Sequence, residues 1–139
     1  MDDEAEAADA VINPADIRLA AMNLLARREH SVWELRRKLK RRFPDGEVLD
    51  EQLSRLAEEN LQSDTRFAES YVRQRIERGY GPVRLCEELR ERGITRSDIA
   101  LTMDDLEIDW HAHATEVLHG KFGEQPAADI KEEARRARF

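Results

Sequence analysis

The chain has 139 residues, of which 38% are charged and 6% are aromatic, and its formal net charge is −7. This composition leaves little apolar material for one thick core and favours small helical modules that contact mainly their neighbours. The single cysteine excludes an intrachain disulfide and fits a reducing cytoplasm. No apolar run approaches the roughly 20 residues of a membrane span. No secretory signal is visible, so we expect a cytoplasmic protein without membrane contact.

The charge is distributed in blocks along the chain. Residues 15–46 carry nine bases against four acids, and residues 66–96 carry eight bases against five acids. Residues 1–14, 47–65 and 97–113 are strongly acidic. The global acidity therefore hides two basic sectors that could contact phosphates or acidic patches on a protein partner.

The first sixty residues predict a tail followed by three helices. Residues 1–13 are rich in acids and alanine without an apolar stripe, so we expect an acidic disordered tail. Pro14 suits the first position of a helix, and Ser31 with Glu34 forms a capping box for the next one. Apolar residues at helical spacing predict helices at about 15–29, 32–42 and 47–59.

Residues 63–108 predict a second set of three helices. Ser63 is an N-cap candidate for the first of them. The segment 79–82, Gly-Tyr-Gly-Pro, ends that helix, because glycine tolerates a positive φ and proline begins a helix better than it continues one. Gly93 ends the second helix. The third helix is predicted from Asp98 to about Leu106, with Ser97 as its cap.

These two sets are related by a shift of 50 residues without a gap. The identities lie on core positions and helix ends, which favours duplication over chance. They are Leu35 with Leu85, Leu39 with Leu89, Leu56 with Leu106, Arg28 with Arg78, and Arg42 with Arg92.

From residue 109 the helical pattern begins again, with a helix ended by Gly123 and another from Ala127 to the end. No segment alternates with period two for long enough to indicate a strand. We therefore predict an all-α fold of tandem three-helix repeats in an elongated, curved array with an incomplete third repeat. The expected boundaries are 1–13 for the tail, 14–62 for the first repeat, 63–108 for the second and 109–139 for the partial third.

Residues suited to catalysis or metal binding form no convincing constellation. His111 and His113 point about 200° apart on a helix and cannot easily share one ion. Cys86 has acids at positions 87 and 88, which disfavour the thiolate. We therefore expect no metal, no cofactor and no enzymatic activity.

The basic residues offer the better candidate site. On the second helix of the first repeat, four bases lie away from the apolar stripe and are expected to form one exposed cationic face with Trp33 at its edge. Such a face can bind a partner, or it can be a solvated surface held by local ion pairs. The four bases are Arg36, Arg37, Lys40 and Arg41, and the exposed candidates of the second repeat are Arg73, Arg84 and Arg90.

Several of these segments carry a resemblance to RecX, the bacterial regulator of the RecA recombinase. Residues 26–31 (ARREHS) resemble its first repeat. Residues 66–69 (RFAE), 79–82 (GYGP) and 88–94 (ELRERGI) resemble its second repeat. Residues 135–139 (RRARF) resemble the start of a basic motif in its third repeat.

The resemblance implies three tandem three-helix repeats, no catalytic activity and binding to RecA nucleoprotein filaments. A protein of this family lodges in the filament groove and limits filament growth, ATP hydrolysis and strand exchange. We expect a monomer with weak direct contact to single- or double-stranded DNA. The alternative is a small helical DNA-binding protein that uses the basic faces of both repeats. The resemblance adds Tyr80, Arg135, Arg136 and Arg138 to the candidate partner-binding residues.

Overall fold

The structure, a computed structural model, describes residues 12–123 and 130–138 and is all-helical throughout this part of the chain. The tail predicted at 1–13 lies almost entirely outside the described residues. The described helices are α1 Pro14–Arg27, α2 Val32–Leu39, α3 Glu47–Glu58, α4 Asp64–Glu77, α5 Pro82–Glu91, α6 Arg96–Asp105, α7 Trp110–Phe122 and α8 Ile130–Arg138.

The first three helices enclose one small core. Helix α1 packs against α2 and α3, and the apolar stripe of each helix points inward. Ile17 and Leu35 are fully buried, as are Leu49 and Leu56 on α3. Burying a leucine or isoleucine side chain contributes about 1.5–3 kcal/mol, so these residues are the main favourable term that holds the three short helices together.

Helices α4, α5 and α6 repeat this arrangement. Phe67, Leu85 and Leu89 are the buried centre of a second cluster. Leu85 and Leu89 occupy the positions of Leu35 and Leu39 in the first unit, which are also buried. The predicted tandem arrangement of helical units is therefore confirmed.

Most predicted helix starts carry the expected side-chain caps. The Asn13 side chain accepts a hydrogen bond from the Ala15 amide at 3.0 Å, and Ser63 caps α4. Ser31 and Glu34 form the predicted capping box. These side chains satisfy amides that have no partner within their own helix.

Two predicted boundaries are wrong. Helix α6 begins at Arg96, because Thr95 is its cap and accepts a hydrogen bond from the Asp98 amide at 3.2 Å. Ser97 therefore lies inside the helix. Helix α2 ends at Leu39 rather than Arg42, and the chain turns there so that the Phe43 side chain reaches the first core.

Replacing Thr95 with alanine is expected to lower the free energy of unfolding by about 1 kcal/mol, the usual cost of losing a helix cap. Ser97→Ala, the matched control, should change it by no more than about 0.5 kcal/mol, because Ser97 is exposed within α6. Urea denaturation of both variants measures the difference. Equal losses for the two variants would contradict the assignment of Thr95 as the cap.

A polar junction joins the two repeats. The Asp64 carboxylate accepts hydrogen bonds from the Val32 amide and from the Gln62 side chain, both at 2.9 Å. Gln62 is buried and also donates to the carbonyl of His30 at 3.1 Å. Because these bonds connect the start of α2 with the start of α4, they fix the orientation of one repeat relative to the next.

Helix α7 continues the array against the second repeat. Trp110 packs on the second core cluster, and His113 Nε2 donates to the carbonyl of Ile76 at 2.9 Å. Helix α8 meets α7 at Phe122, where the guanidinium groups of Arg135 and Arg136 lie over the ring. The described residues of this third unit include no fully buried side chain.

Candidate functional site

A groove of about 500 Å³ runs between α2 of the first repeat and the end of α5 in the second. Its walls carry four bases, two acids and one tryptophan. We call it the inter-repeat groove, and its lining residues are Trp33, Glu34, Arg37, Lys38, Arg41, Glu91 and Arg92.

Trp33 is a point of close contact between the two repeats. A Cβ placed on Gly93 would lie 2.7 Å from the Cβ of Trp33, so only glycine fits there. Gly93 also has a φ of +79°, which glycine adopts without strain. The indole is 41% exposed, and the Arg37 guanidinium lies 5.2 Å from its centroid. The groove thus presents an aromatic face with a cation stacked on it.

The charge of the groove is predominantly positive. Burial alone would raise the pKa of Glu34, but hydrogen bonds from Arg28 and the Ser31 amide hold it below its ordinary value. Both Arg28–Glu34 bonds measure 3.0 Å, so this carboxylate is neutralised in place. Arg37, Lys38, Arg41 and Arg92 then face only Glu91.

Arg92 is held rigidly at the second-repeat side of the groove. Its guanidinium donates to the Glu88 carbonyl at 2.9 Å and lies 4.7 Å from the centroid of the Tyr71 ring. Glu91 is 3.9 Å away and mostly exposed, which makes it a weak partner. The second repeat therefore contributes a fixed cation to a groove whose other cations come from the first.

His30 supports Lys38 from beneath. This histidine is 1% exposed, its Nδ1 donates to the Arg28 carbonyl at 3.0 Å, and its Nε2 accepts from Lys38 Nζ at 2.9 Å. Burial lowers the pKa of His30, and the neighbouring cations Arg28 and Lys38 lower it further. Burial also lowers the pKa of Lys38. The His30 imidazole must therefore be neutral, because only an unprotonated Nε2 can accept the hydrogen bond from Lys38.

The free energy of unfolding is expected to fall as the pH drops from 6.5 towards 5. The folded pKa of His30 lies below the ordinary value of 6.5, so the unfolded chain binds this proton more readily. The contribution of His30 to the free energy of unfolding is fully present above its ordinary pKa. It decreases as the pH falls below that pKa, by at most about 1.4 kcal/mol per pH unit. Denaturation of wild type and His30→Asn across this range isolates the effect. Identical slopes in the two proteins would contradict it.

The predicted cationic face of α2 is only partly realised. Arg37 and Arg41 line the inter-repeat groove, and Lys40 is exposed outside it. Arg36 is not part of an exposed face, because its half-buried guanidinium pairs with Asp50 and, at 3.3 Å, with Asp45. These two carboxylates come from the start of α3 and the turn before it, which the helical pattern of α2 does not reveal.

The second-repeat candidates lie in separate places. Tyr80 is stacked between two guanidiniums, 4.0 Å from Arg84 and 5.2 Å from Arg75. Arg84 is also 3.5 Å from the Glu88 carboxylate. Arg73 is exposed on α4.

Arg90 is likewise exposed, but it lines a different groove between α5 and α6. The third-repeat candidates are on α8, where Arg136 pairs with Glu132 at 2.8 Å, Arg135 stacks on Phe122, and Arg138 is exposed.

Two groove residues were not among the predicted candidates. Lys38 lies directly before Leu39 of the apolar stripe of α2, and Arg92 lies at a predicted helix end, so neither position by itself indicates a contact residue. The alignment of the two repeats does single out Arg92, because an arginine, Arg42, also lies at the matching position of the first repeat. Nothing in the sequence indicates that Arg92 and Lys38 line the same groove across the repeat junction.

The described residues contain no cluster of histidine, cysteine or acidic side chains that could hold a metal ion. None of the described helices is long and apolar enough to cross a membrane. The fold and the groove together define a helical-repeat protein whose described surface offers charged and aromatic side chains.

Comparison with known proteins identifies the family. Residues 18–56 match the first three-helix domain of RecX, and residues 63–103 match its second three-helix domain. The chain is 45% identical over 126 residues to regulatory protein RecX of Pseudomonas entomophila, covering 91% of this chain and 81% of that protein. It is 46% identical over 127 residues to the RecX of Ectopseudomonas mendocina, covering 91% and 85%. The chain belongs to the RecX family of regulatory proteins.

A solved structure supports the fold. The crystal structure of a regulatory protein RecX superposes with a TM-score of 0.66, covers 90% of this chain and is 24% identical to it. This chain spans 62% of the length of that solved chain. The likeness concerns the arrangement of helices alone.

Proposed function

We propose that this protein binds RecA nucleoprotein filaments and inhibits filament extension, ATP hydrolysis and strand exchange. The observation that carries the proposal is the inter-repeat groove, in which cations of two successive repeats surround the exposed face of Trp33. Aromatic and arginine side chains are the residues that most often dominate protein interfaces. Membership of the RecX family supplies the partner.

The proposed mechanism is steric and allosteric. The polar junction formed by Val32, Gln62 and Asp64 holds the repeats in one arrangement, so the array can bind as a rigid body. Occupying a groove across adjacent RecA subunits would hinder their rearrangement and block subunit addition. We propose a cytoplasmic, non-enzymatic monomer with repeat boundaries at 14–62, 63–108 and 109–139.

The alternative, a small helical DNA-binding protein that uses the basic faces of both repeats and its second or third helices as recognition helices, has less support. Helix α3 exposes Glu51 and Glu58, and helix α6 exposes Asp104 and Asp105. Acidic helices are repelled by phosphates. Alternating basic and acidic surfaces instead suit a filament in which protein surrounds nucleic acid, with weak DNA contact confined to the basic groove.

The proposal is tested by DNA-dependent ATP hydrolysis of the cognate RecA, titrated with substoichiometric amounts of this chain. A matched titration with an unrelated single-strand-binding protein on excess DNA controls for competition at the DNA. Inhibition well below the amount needed to cover the DNA is expected. Inhibition that appears only when the chain saturates the DNA would favour the DNA-binding alternative instead.

A further inference from the structure

The ion pair between the second and third helices of the first repeat has no counterpart at the matched positions of the second repeat. In the first repeat, Arg36 of α2 pairs with Asp50 of α3 and ties these helices together at the surface. A shift of 50 residues leads to Cys86 on α5 and Ala100 on α6. The second repeat therefore has no ion pair across the same helix–helix surface.

An apolar groove lies where that ion pair is missing. It has a volume of about 580 Å³ and lies between α5 and α6, with Cys86, Ile99 and Met103 among its lining residues. Ile99 and Met103 are half-buried, whereas the matching Leu49 and Leu53 of the first repeat are 0% and 2% exposed. The volume is within the range of sites that accept side chains or small ligands, about 300–1,000 Å³.

The rim of this groove is apolar where α5 begins. Val83, in the first turn of α5, is 76% exposed. Its match in the first repeat is Trp33, which packs against Gly93 of the next repeat. All residues that line the groove come from 82–104, so the described part of the first and third repeats leaves it uncovered.

The charges around the groove indicate what can enter it. Arg90 and Arg96 lie where α5 ends and α6 begins, so they mark one end with positive charge. Asp104 lies in the last turn of α6 and marks the other end, and Glu87 lies between them. Phosphates would meet two carboxylates and an apolar floor, which disfavours nucleic acid as the occupant. A protein segment complements this arrangement if it combines an apolar side chain with an acidic residue.

We propose that the α5–α6 groove is a second docking site, in which the protein component of the filament inserts an apolar side chain and places an acidic residue against Arg90 and Arg96. This inference rests on the proposed function and names the chemistry of one contact within it. The equivalent groove of the first repeat, about 480 Å³, is lined by the charged side chains of Arg36 and Asp50, so it is a poor site for an apolar side chain.

The first repeat supplies the model for a variant that replaces the apolar lining of the groove with charged side chains. Cys86→Arg combined with Ala100→Asp transfers the ion pair of the first repeat to the second. Val83→Glu, at the exposed rim, is a milder change that places an acid in the first turn of α5, where acids suit a helix. Both variants are expected to bind RecA filaments on single-stranded DNA about tenfold more weakly than wild type, with helix content unchanged.

Unchanged filament binding by both variants, while wild type binds, would overturn the docking site and leave the proposed function intact. Failure of wild type to bind at all would overturn both.

The unique Cys86 gives an independent test, which measures its rate of alkylation by a maleimide. RecA filaments are expected to protect Cys86, and naked single-stranded DNA is not. The control is Leu19→Cys in a Cys86→Ala background. Leu19 is exposed, so the new cysteine should remain reactive towards the maleimide when filaments are present. Protection of Cys86 by naked DNA would contradict a protein occupant.

Discussion

Replacing Gly93 with alanine is expected to lower the free energy of unfolding by about 2–4 kcal/mol. The φ of Gly93 is +79°, a conformation that costs other residues about 1–3 kcal/mol. The added Cβ would also lie 2.7 Å from the Cβ of Trp33, and that atom is bonded directly to the backbone of α2, so rotating the side chain cannot move it away. Crowding of this kind typically costs about 1–3 kcal/mol. The repeats must separate or the turn must distort.

The control for this substitution is Gly120→Ala. Gly120 lies within α7, and a Cβ built there meets nothing within 4 Å. Alanine is a better helix former by about 0.5–1 kcal/mol, so this variant should be slightly more stable than wild type. Chemical denaturation followed by circular dichroism measures both. A Gly93→Ala variant as stable as wild type would show that Trp33 and the end of α5 are not in close contact.

Reversing two charges of the inter-repeat groove, with Arg37→Glu and Arg41→Glu, is expected to weaken filament binding at least about tenfold, equivalent to about 1.4 kcal/mol. Arg37 is stacked on Trp33. Both arginines are exposed, and neither makes an ion pair within the described residues that would stabilise the fold. The variant should therefore fold normally while its groove loses its positive potential.

The matched control reverses two bases outside the groove, with Arg55→Glu and Lys131→Glu. It changes the net charge by the same amount, and both residues are exposed. The Arg55–Glu51 pair that it breaks is an exposed i,i+4 contact, which contributes little to stability. Binding of the two variants to RecA filaments is compared at several salt concentrations, since steering by net charge is screened by salt. Equal weakening of both variants would indicate an effect of net charge and would remove the groove from the site.

The repeat and its cores could be predicted from the sequence because both depend on local patterns. Leu35 and Leu85 lie on helical stripes between clear stop signals, and the shift of 50 residues relates them without a gap. The caps at Asn13, Ser31 and Ser63 follow from the same short-range rules. Thr95 was missed because two hydroxyl residues, Thr95 and Ser97, stand close to one helix start and the rule does not choose between them.

The site depends on contacts between residues distant in sequence. Arg36 looks like its neighbours Arg37 and Lys40 on a helical wheel, and only the position of Asp50 on α3 removes it from the exposed face. Arg92 lines the groove because the end of α5 lies beside α2 of the first repeat. The absence of the Arg36–Asp50 pair in the second repeat could have been found by aligning the two repeats at every surface position, beyond their core.

The central claim is tested most directly by a binding titration of this chain, labelled at its amino terminus, against preassembled RecA filaments and against the same single-stranded DNA without RecA. Fluorescence anisotropy at physiological salt gives both affinities in one format. Saturable binding to filaments, at concentrations that leave the naked DNA unbound, is the predicted result. Equal affinity for filaments and naked DNA, or no binding to filaments, would contradict the account.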